Sequence, residues 1–403
     1  MPWAVQKLFS NSTVEKELKN TTVSRSNDHD ECILSSPTVR EEFWLMAVFG
    51  SFVALSGLVA NSVVAYVLFR PSLRRTHLYL AALACLDFML CTIYLALFPA
   101  KAVYQYYEIR RIYEVFLTYA YQLLFVSRVV QLASTYLIIA ATVTRCMIVT
   151  GRCSRYGHWP LRRKGIVSAC IIVAAVLLKV NTLFHEVVVA KNCTEYVTLT
   201  VNITSLAGNP YYKNAEFYLS SFIAIILPFP LLLHMNVIII ASLKRKAETQ
   251  SSLQEPSQNG PLGNPNLAAS ASNTSYVTMR KVQEATWLLI ALVTTYLISN
   301  SFSFVVALIE IVHIDFLLHH RKFYHFSSYL ITLIFVANAS IRIIIYYYCN
   351  QRVRVEVKRL FGIKVFSTAR NEIPPENPQP AENPVINRQP SSTITDSETD
   401  LTS

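Results

Sequence analysis

Seven long apolar runs, each longer than the roughly 20 residues that a helix needs to cross a hydrocarbon core, alternate with polar connections along this chain. They cover residues 43–69, 77–99, 113–149, 165–190, 217–243, 285–313 and 326–348. The pattern predicts an all-α membrane protein, a seven-transmembrane helix bundle spanning residues 43–348. The third run is too long for a perpendicular span and is expected to tilt or to project beyond the bilayer. Residues 349–366 follow as a short amphipathic helix, with Val, Leu and Phe alternating with Arg and Lys, a pattern that lies along a membrane surface. Cys349 beside it is either a palmitoylation site or a plain buried cysteine.

Composition agrees: 53% hydrophobic and 15% charged residues are too apolar a mixture for a soluble enzyme of 403 residues. The formal charge of +11, from 36 basic and 25 acidic residues, would point to nucleic acid in a soluble protein. Here the basic residues lie between the apolar runs, so no nucleic-acid partner is expected. Arg74 and Arg75 lie in the first connection, and Arg152, Arg155, Arg162, Arg163 and Lys164 in the third. Lys244, Arg245, Lys246, Arg280 and Lys281 border the fifth, and Arg352, Arg354, Lys358 and Arg359 follow the last run. The other connections mix signs, as in Glu108 with Arg110 and Lys191 with Glu195. Positive charge marks the cytoplasmic side, which puts the carboxyl tail in the cytoplasm and the amino terminus outside a plasma membrane.

With that orientation, residues 1–42 are an extracellular segment without a cleavable signal pattern, and the first span is expected to target the chain. Glycosylation triplets at Asn11, Asn20, Asn192 and Asn202 all fall outside the cell. Asn273 also matches, on the cytoplasmic side. Residues 247–278 of the third cytoplasmic loop and the tail 367–403 are rich in Ser, Asn, Gln and Pro and are expected to be disordered. The tail closes on Ser391, Ser392, Thr393, Thr395, Ser397 and Thr399 among acids, which read either as phosphorylation sites or as a solvated polar end.

Polar side chains inside a span cost about 2.5–3.5 kcal/mol each on insertion scales, so each needs a partner or a role. Asn61 and Asp87 sit mid-span, and Asn338, Arg342 and Tyr346 recur every four residues on one face of the last span. In the third span Gln131, Ser134 and Arg145 lie within about 60° of one another at 100° per residue. Interhelical hydrogen bonds that only fix packing explain Asn61 and Ser134 as well as a functional role does. For the charged Asp87, Arg145 and Arg342 the functional reading is the stronger one.

These residues resemble the rhodopsin-like G-protein-coupled receptors over the whole helical portion. The matching stretches are Gly57-Leu58-Val59-Ala60-Asn61, Leu83-Ala84-Cys85-Leu86-Asp87 and Leu227-Pro228. Thr144-Arg145-Cys146 stands where the family has Asp-Arg-Tyr, and the Asn338 to Tyr346 stretch where it has Asn-Pro-x-x-Tyr. Within the family, Pro228 with Asn236, Tyr296 to Asn300, and Asn338-Ala339-Ser340 look like the invertebrate FMRFamide-type neuropeptide branch. Related invertebrate chemosensory receptors share such sequences. The resemblance therefore implies a receptor for an extracellular ligand, an amidated neuropeptide in the first reading and a small pheromone in the second, coupled to a heterotrimeric G protein. Arrestin on a phosphorylated tail and a receptor dimer are further partners it allows.

By the same resemblance, Arg145 and Tyr346 belong to the activation switch, with Glu284 as the acid that restrains Arg145. Asn61, Asp87, Ser134, Asn300, Asn338 and Arg342 form a buried polar core. Arg342 replaces the asparagine that in the family helps line a sodium site around Asp87, and is expected to pair with Asp87 and displace the cation. Cys193 lacks its usual partner on the third span, where Ala120 and its neighbours are not cysteine, so Cys32 is expected to replace it; two free thiols are the alternative. Span four lacks the family's tryptophan, and Phe302 stands in place of the proline that kinks span six.

For the ligand, the first choice is Arg128, seventeen residues outward from Arg145 and so about 25 Å away along a helix. Gln131 lies one turn below it, and His185 and Glu186 close the outer end of span four. Arg128 either meets the ligand or snorkels and pairs with Glu186. A transporter or channel is the competing class, but neither internal repeats nor paired broken helices are visible. Scattered His185, His234 and His313 suit no metal site, and no catalytic constellation or cofactor motif is present, so an enzyme is not expected.

Overall fold

The structure, a computed structural model, describes residues 39–151, 163–184, 186–190, 199–204, 209–253, 265–312 and 319–360. Seven helices in it are long and apolar enough to cross a membrane. They are α1 (Val39–Leu68), α2 (Pro71–Tyr107), α3 (Arg110–Thr150), α4 (Lys164–Phe184), α5 (Pro210–Leu253), α6 (Pro265–Val312) and α7 (Arg321–Cys349). A short α8 (Gln351–Leu360) follows.

The helices pack in chain order around α3, which touches α2, α4, α5 and α6, and the ring closes where α7 meets α1. At 41 residues, α3 is roughly 60 Å long at 1.5 Å per residue, about twice the hydrocarbon thickness. It ends at Gly151, whose φ of 72° is the left-handed cap conformation that glycine adopts without penalty. The interior is apolar, with Leu83, Leu97, Phe116, Leu137, Leu232 and Val293 in one continuous cluster. Large apolar side chains also face outward, such as Phe52 and Ile298, as lipid requires.

Close helix contact depends on small residues. A Cβ on Gly57 would come within 2.3 Å of Ser340 Oγ and 2.9 Å of Cys91 Sγ, and one on Gly50 within 1.9 Å of the Tyr94 hydroxyl. These glycines let α1 lie directly against α7 and α2.

Three elements differ from the sequence expectation. The fourth apolar run does not stay helical to residue 190: α4 ends in a 3-10 turn at Val180–Phe184. Glu186–Ala190 (β1) then pairs antiparallel with Leu199–Ile203 (β2), Val188 opposite Val201. The Val-rich run reads as span by hydropathy alone, but β-branched residues suit a strand. The second span does not end at Pro99; α2 carries that proline inside and continues to Tyr107. Finally, helix extends into the segment expected to be unstructured, to Leu253 from one side and from Pro265 on the other, where a leading proline suits a first helical turn.

Candidate functional site

Asp87 and Arg342 meet inside the bundle. Nη1 of Arg342 on α7 donates to Oδ2 of Asp87 on α2, and both side chains are buried, 7% and 2% exposed. A guanidinium–carboxylate pair of this kind carries a charge-assisted hydrogen bond. Cys91, Tyr296 and Tyr346 all lie within electrostatic reach of the pair. The stripe on α7 faces inward as expected: Asn338, Arg342 and Tyr346 are all buried. Asn338 Oδ1, the Tyr346 hydroxyl and Ser134 Oγ are buried without a hydrogen-bond partner among the described residues.

Asn61 fixes the neighbouring seam. Its Nδ2 donates to the carbonyl of Gly57 at 2.9 Å and across to that of Ala339 on α7 at 3.1 Å. Ser340 answers from α7 with a 2.9 Å bond to the Val53 carbonyl.

Toward the Arg128 end, an open cavity lies between α3, α4, α5, α6 and α7. Its polar lining is Arg128, Gln131 and Thr135 from α3, Lys179 from α4, and Tyr296 and Asn300 from α6. Leu132, Ala224, Ile225 and Phe335 supply apolar wall. Two of the expected ligand residues, Arg128 and Gln131, are thus brought together, and Asn300 joins them. His185 lies outside the described residues, as does the side chain of Glu186, which opens β1. Lys179 was not expected: it interrupts an apolar run, and no motif marks it. It is 8% exposed, donates to the Ser220 hydroxyl, and lies within electrostatic reach of Arg128 and Glu216.

The α5 wall of this cavity is shaped by a π turn at Phe222–Ile226. The Leu227 N–H reaches back to the Phe222 carbonyl at 2.9 Å, five residues rather than four. In that register the Ile223 carbonyl would be served by residue 228, which is proline and has no N–H. Tyr136 on α3 donates to it instead, at 3.1 Å. π turns of this sort occur often at functional sites.

At the opposite end, Arg145 is half-buried, with Lys164 in electrostatic reach. Thr144, at the position of the family's acid, hydrogen-bonds the Ala140 carbonyl at 2.8 Å and meets Tyr79 of α2. Glu284 lies on α6, but its side chain is outside the described residues. So are Cys32, Cys193, Asn11, Asn20, Asn192, the side chain of Asn202, and the tail from 361 onward. Phe302 sits in α6, which runs unbroken from Pro265 to Val312.

A further polar cluster ties three helices together near Tyr107. Tyr329 of α7 donates to Glu42 of α1 at 2.7 Å and accepts from Lys101 of α2 at 3.2 Å. Sequence reading missed it because Glu42 and Lys101 both lie just beyond the apolar runs.

Neither a family model nor a curated protein matches the chain. Among solved structures, the crystal structure of squid rhodopsin aligns with a TM-score of 0.58 at 15% sequence identity, over 84% of this chain and 90% of that one. At that identity the likeness establishes the fold alone, a seven-helix bundle like that of squid rhodopsin.

Proposed function

We propose that this chain is a G-protein-coupled receptor of the plasma membrane, with its amino terminus outside and its tail in the cytoplasm, that transmits binding of an extracellular ligand to a heterotrimeric G protein. Tyr296 carries the reading. The same phenol lines the cavity, hydrogen-bonds Thr135 at 3.1 Å, and lies within electrostatic reach of Arg342 in the buried ion pair. A ligand touching this tyrosine differently in two arrangements of the bundle biases the equilibrium between them.

In this reading Arg145 meets the G protein and Glu284 restrains it, so Glu284→Ala raises basal signalling at matched surface expression. A disulfide from Cys32 to Cys193 and glycans at Asn11, Asn20, Asn192 and Asn202 belong to the outer side; phosphorylation of the tail would recruit arrestin. The resemblance around Pro228 and Tyr296 supports a neuropeptide. The second reading is a small chemosensory ligand, which the mixed polar and apolar lining of the cavity supports.

The test is a screen of peptides and small pheromone-like compounds on cells expressing the chain, recording second messengers and membrane current together. A ligand-evoked second-messenger change without current supports the receptor. Current or solute uptake with no messenger response overturns it in favour of a transporter or channel.

A further inference from the structure

Two spans leave the α-helical register toward their amino-terminal ends. In α1 a π turn at Phe43–Phe49 ends where the Gly50 N–H donates to the Leu45 carbonyl, five residues back. In α5 the Leu227 N–H reaches Phe222 in the same way. The helices then continue as α-helix, from Gly50 and from Pro228, with bonds of four residues. Passing from five to four skips one carbonyl, that of Met46 in α1 and that of Ile223 in α5. Inside a bilayer such a carbonyl must be served by the protein itself.

In both helices a tyrosine from the neighbouring helix serves it. Tyr94 of α2 donates to the Met46 carbonyl at 3.1 Å, and Tyr136 of α3 to the Ile223 carbonyl at 3.1 Å. Gly50 makes room for the first, since a Cβ there would stand 1.9 Å from the Tyr94 hydroxyl. In a continuous α-helix Gly50 and Leu227 would serve Met46 and Ile223 themselves, and both hydroxyls would lose these acceptors. Each hydroxyl therefore favours the π register over the α register.

We infer that Tyr94 and Tyr136 are register pins, whose hydroxyls fix which side chains the amino-terminal ends of α1 and α5 present to their neighbours. A change of register by one residue turns a helical segment by about 100°. On α1 the pinned register sets Glu42 against Tyr329 of α7. On α5 it sets Ser220 against Lys179 of α4, and Ala224 and Ile225 on the cavity wall. Tyr136 lies outside the cavity lining yet fixes the α5 side chains within it, which makes it a positioning residue for whatever the cavity takes. The inference concerns the helices themselves and stands apart from the receptor reading.

The experiment uses the chain purified into lipid nanodiscs and reads melting temperature together with amide hydrogen exchange. Val48 is exposed, and deleting it leaves Gly50 four residues from Leu45 and Ser51 four residues from Met46. The segment then closes as plain α-helix with Glu42 facing as before, and the Tyr94 hydroxyl has no skipped carbonyl to serve. Tyr94→Phe is expected to lower the melting temperature of the parent and to leave that of the Val48 deletion unchanged. Deleting the exposed Phe222 leaves Leu227 four residues from Ile223, and Tyr136→Phe is expected to follow the same pattern there.

Hydrogen exchange needs no deletion, so it decides the matter even where a shortened chain fails to fold. Tyr94→Phe is expected to alter exchange across Phe43–Phe49 and not across Phe222–Ile226, and Tyr136→Phe the reverse. Either phenylalanine costing as much in its deletion as in the parent overturns the inference for that helix. Exchange unaltered in the pinned segment, or altered alike in both segments by either variant, overturns it as well.

Discussion

Arg342 on α7 and Asp87 on α2, 255 residues apart in the chain, form a buried ion pair at the centre of the bundle. Removing one partner strands the other charge in a low-dielectric interior, which costs about 3–5 kcal/mol. Asp87→Ala and Arg342→Ala are each expected to lower the melting temperature and surface expression sharply. The exchange Asp87→Arg with Arg342→Asp restores opposite charges and recovers part of both. A double exchange no better than the single changes would contradict the pairing.

The same pair predicts indifference to sodium. The resemblance places a sodium site around Asp87 in the family, but here the guanidinium already supplies the positive charge. Melting temperature is expected to be the same in sodium and potassium chloride at equal ionic strength. Arg342→Asn reopens the position and is expected to gain a sodium-specific rise. A sodium-specific rise in the unaltered chain would mean that Arg342 does not displace the ion.

Gly57 lets α1 pack directly against Ser340 of α7 and Cys91 of α2. Because an added Cβ would sit 2.3 Å from Ser340 Oγ and 2.9 Å from Cys91 Sγ, Gly57→Ala forces the helices apart, at about 1–3 kcal/mol. Ser340→Ala relieves part of the clash, so the double variant is expected to melt above the value obtained by adding the two single effects. Strict additivity would show that the two residues are not in contact.

Where α8 meets the bundle, packing outweighs charge. Val353 is fully buried in a cluster with Val64, Val67, Leu68 and Tyr346, whereas the Arg70–Glu356 pair is partly exposed, at 30% and 18%. Val353→Asp buries an unpaired carboxylate and is expected to detach α8, seen as faster amide hydrogen exchange across Gln351–Leu360. Arg70→Ala is expected to leave the melting temperature nearly unchanged, as loss of a solvent-screened surface pair usually does. Comparable effects from the two would reverse that ranking.

The sequence made the seven spans legible because lipid demands long apolar helices, and it made the Asp87–Arg342 pair legible because a charge inside a span must be answered. It could not reveal the Glu42–Tyr329–Lys101 cluster, whose members sit at the ends of three helices that only the folded bundle brings together. Pro99 hid how far α2 continues, since proline usually ends a helix in soluble proteins but is tolerated in membrane spans. Lys179 was concealed in another way: its run is apolar on every side, and only the folded bundle brings it to the cavity that Arg128 lines from α3. β1 reads as the end of the fourth span because hydropathy does not distinguish a strand from a helix over five residues.

Coupling of the bundle to a G protein through Arg145, the proposed function, is read out by guanine-nucleotide exchange. The full chain in nanodiscs would be combined in turn with purified heterotrimeric G proteins of each major class, with and without compounds that raise its melting temperature. Accelerated exchange is expected on at least one class, with its loss in Arg145→Ala at unchanged melting temperature. No acceleration on any class by a correctly folded chain, or acceleration that survives Arg145→Ala, would contradict it.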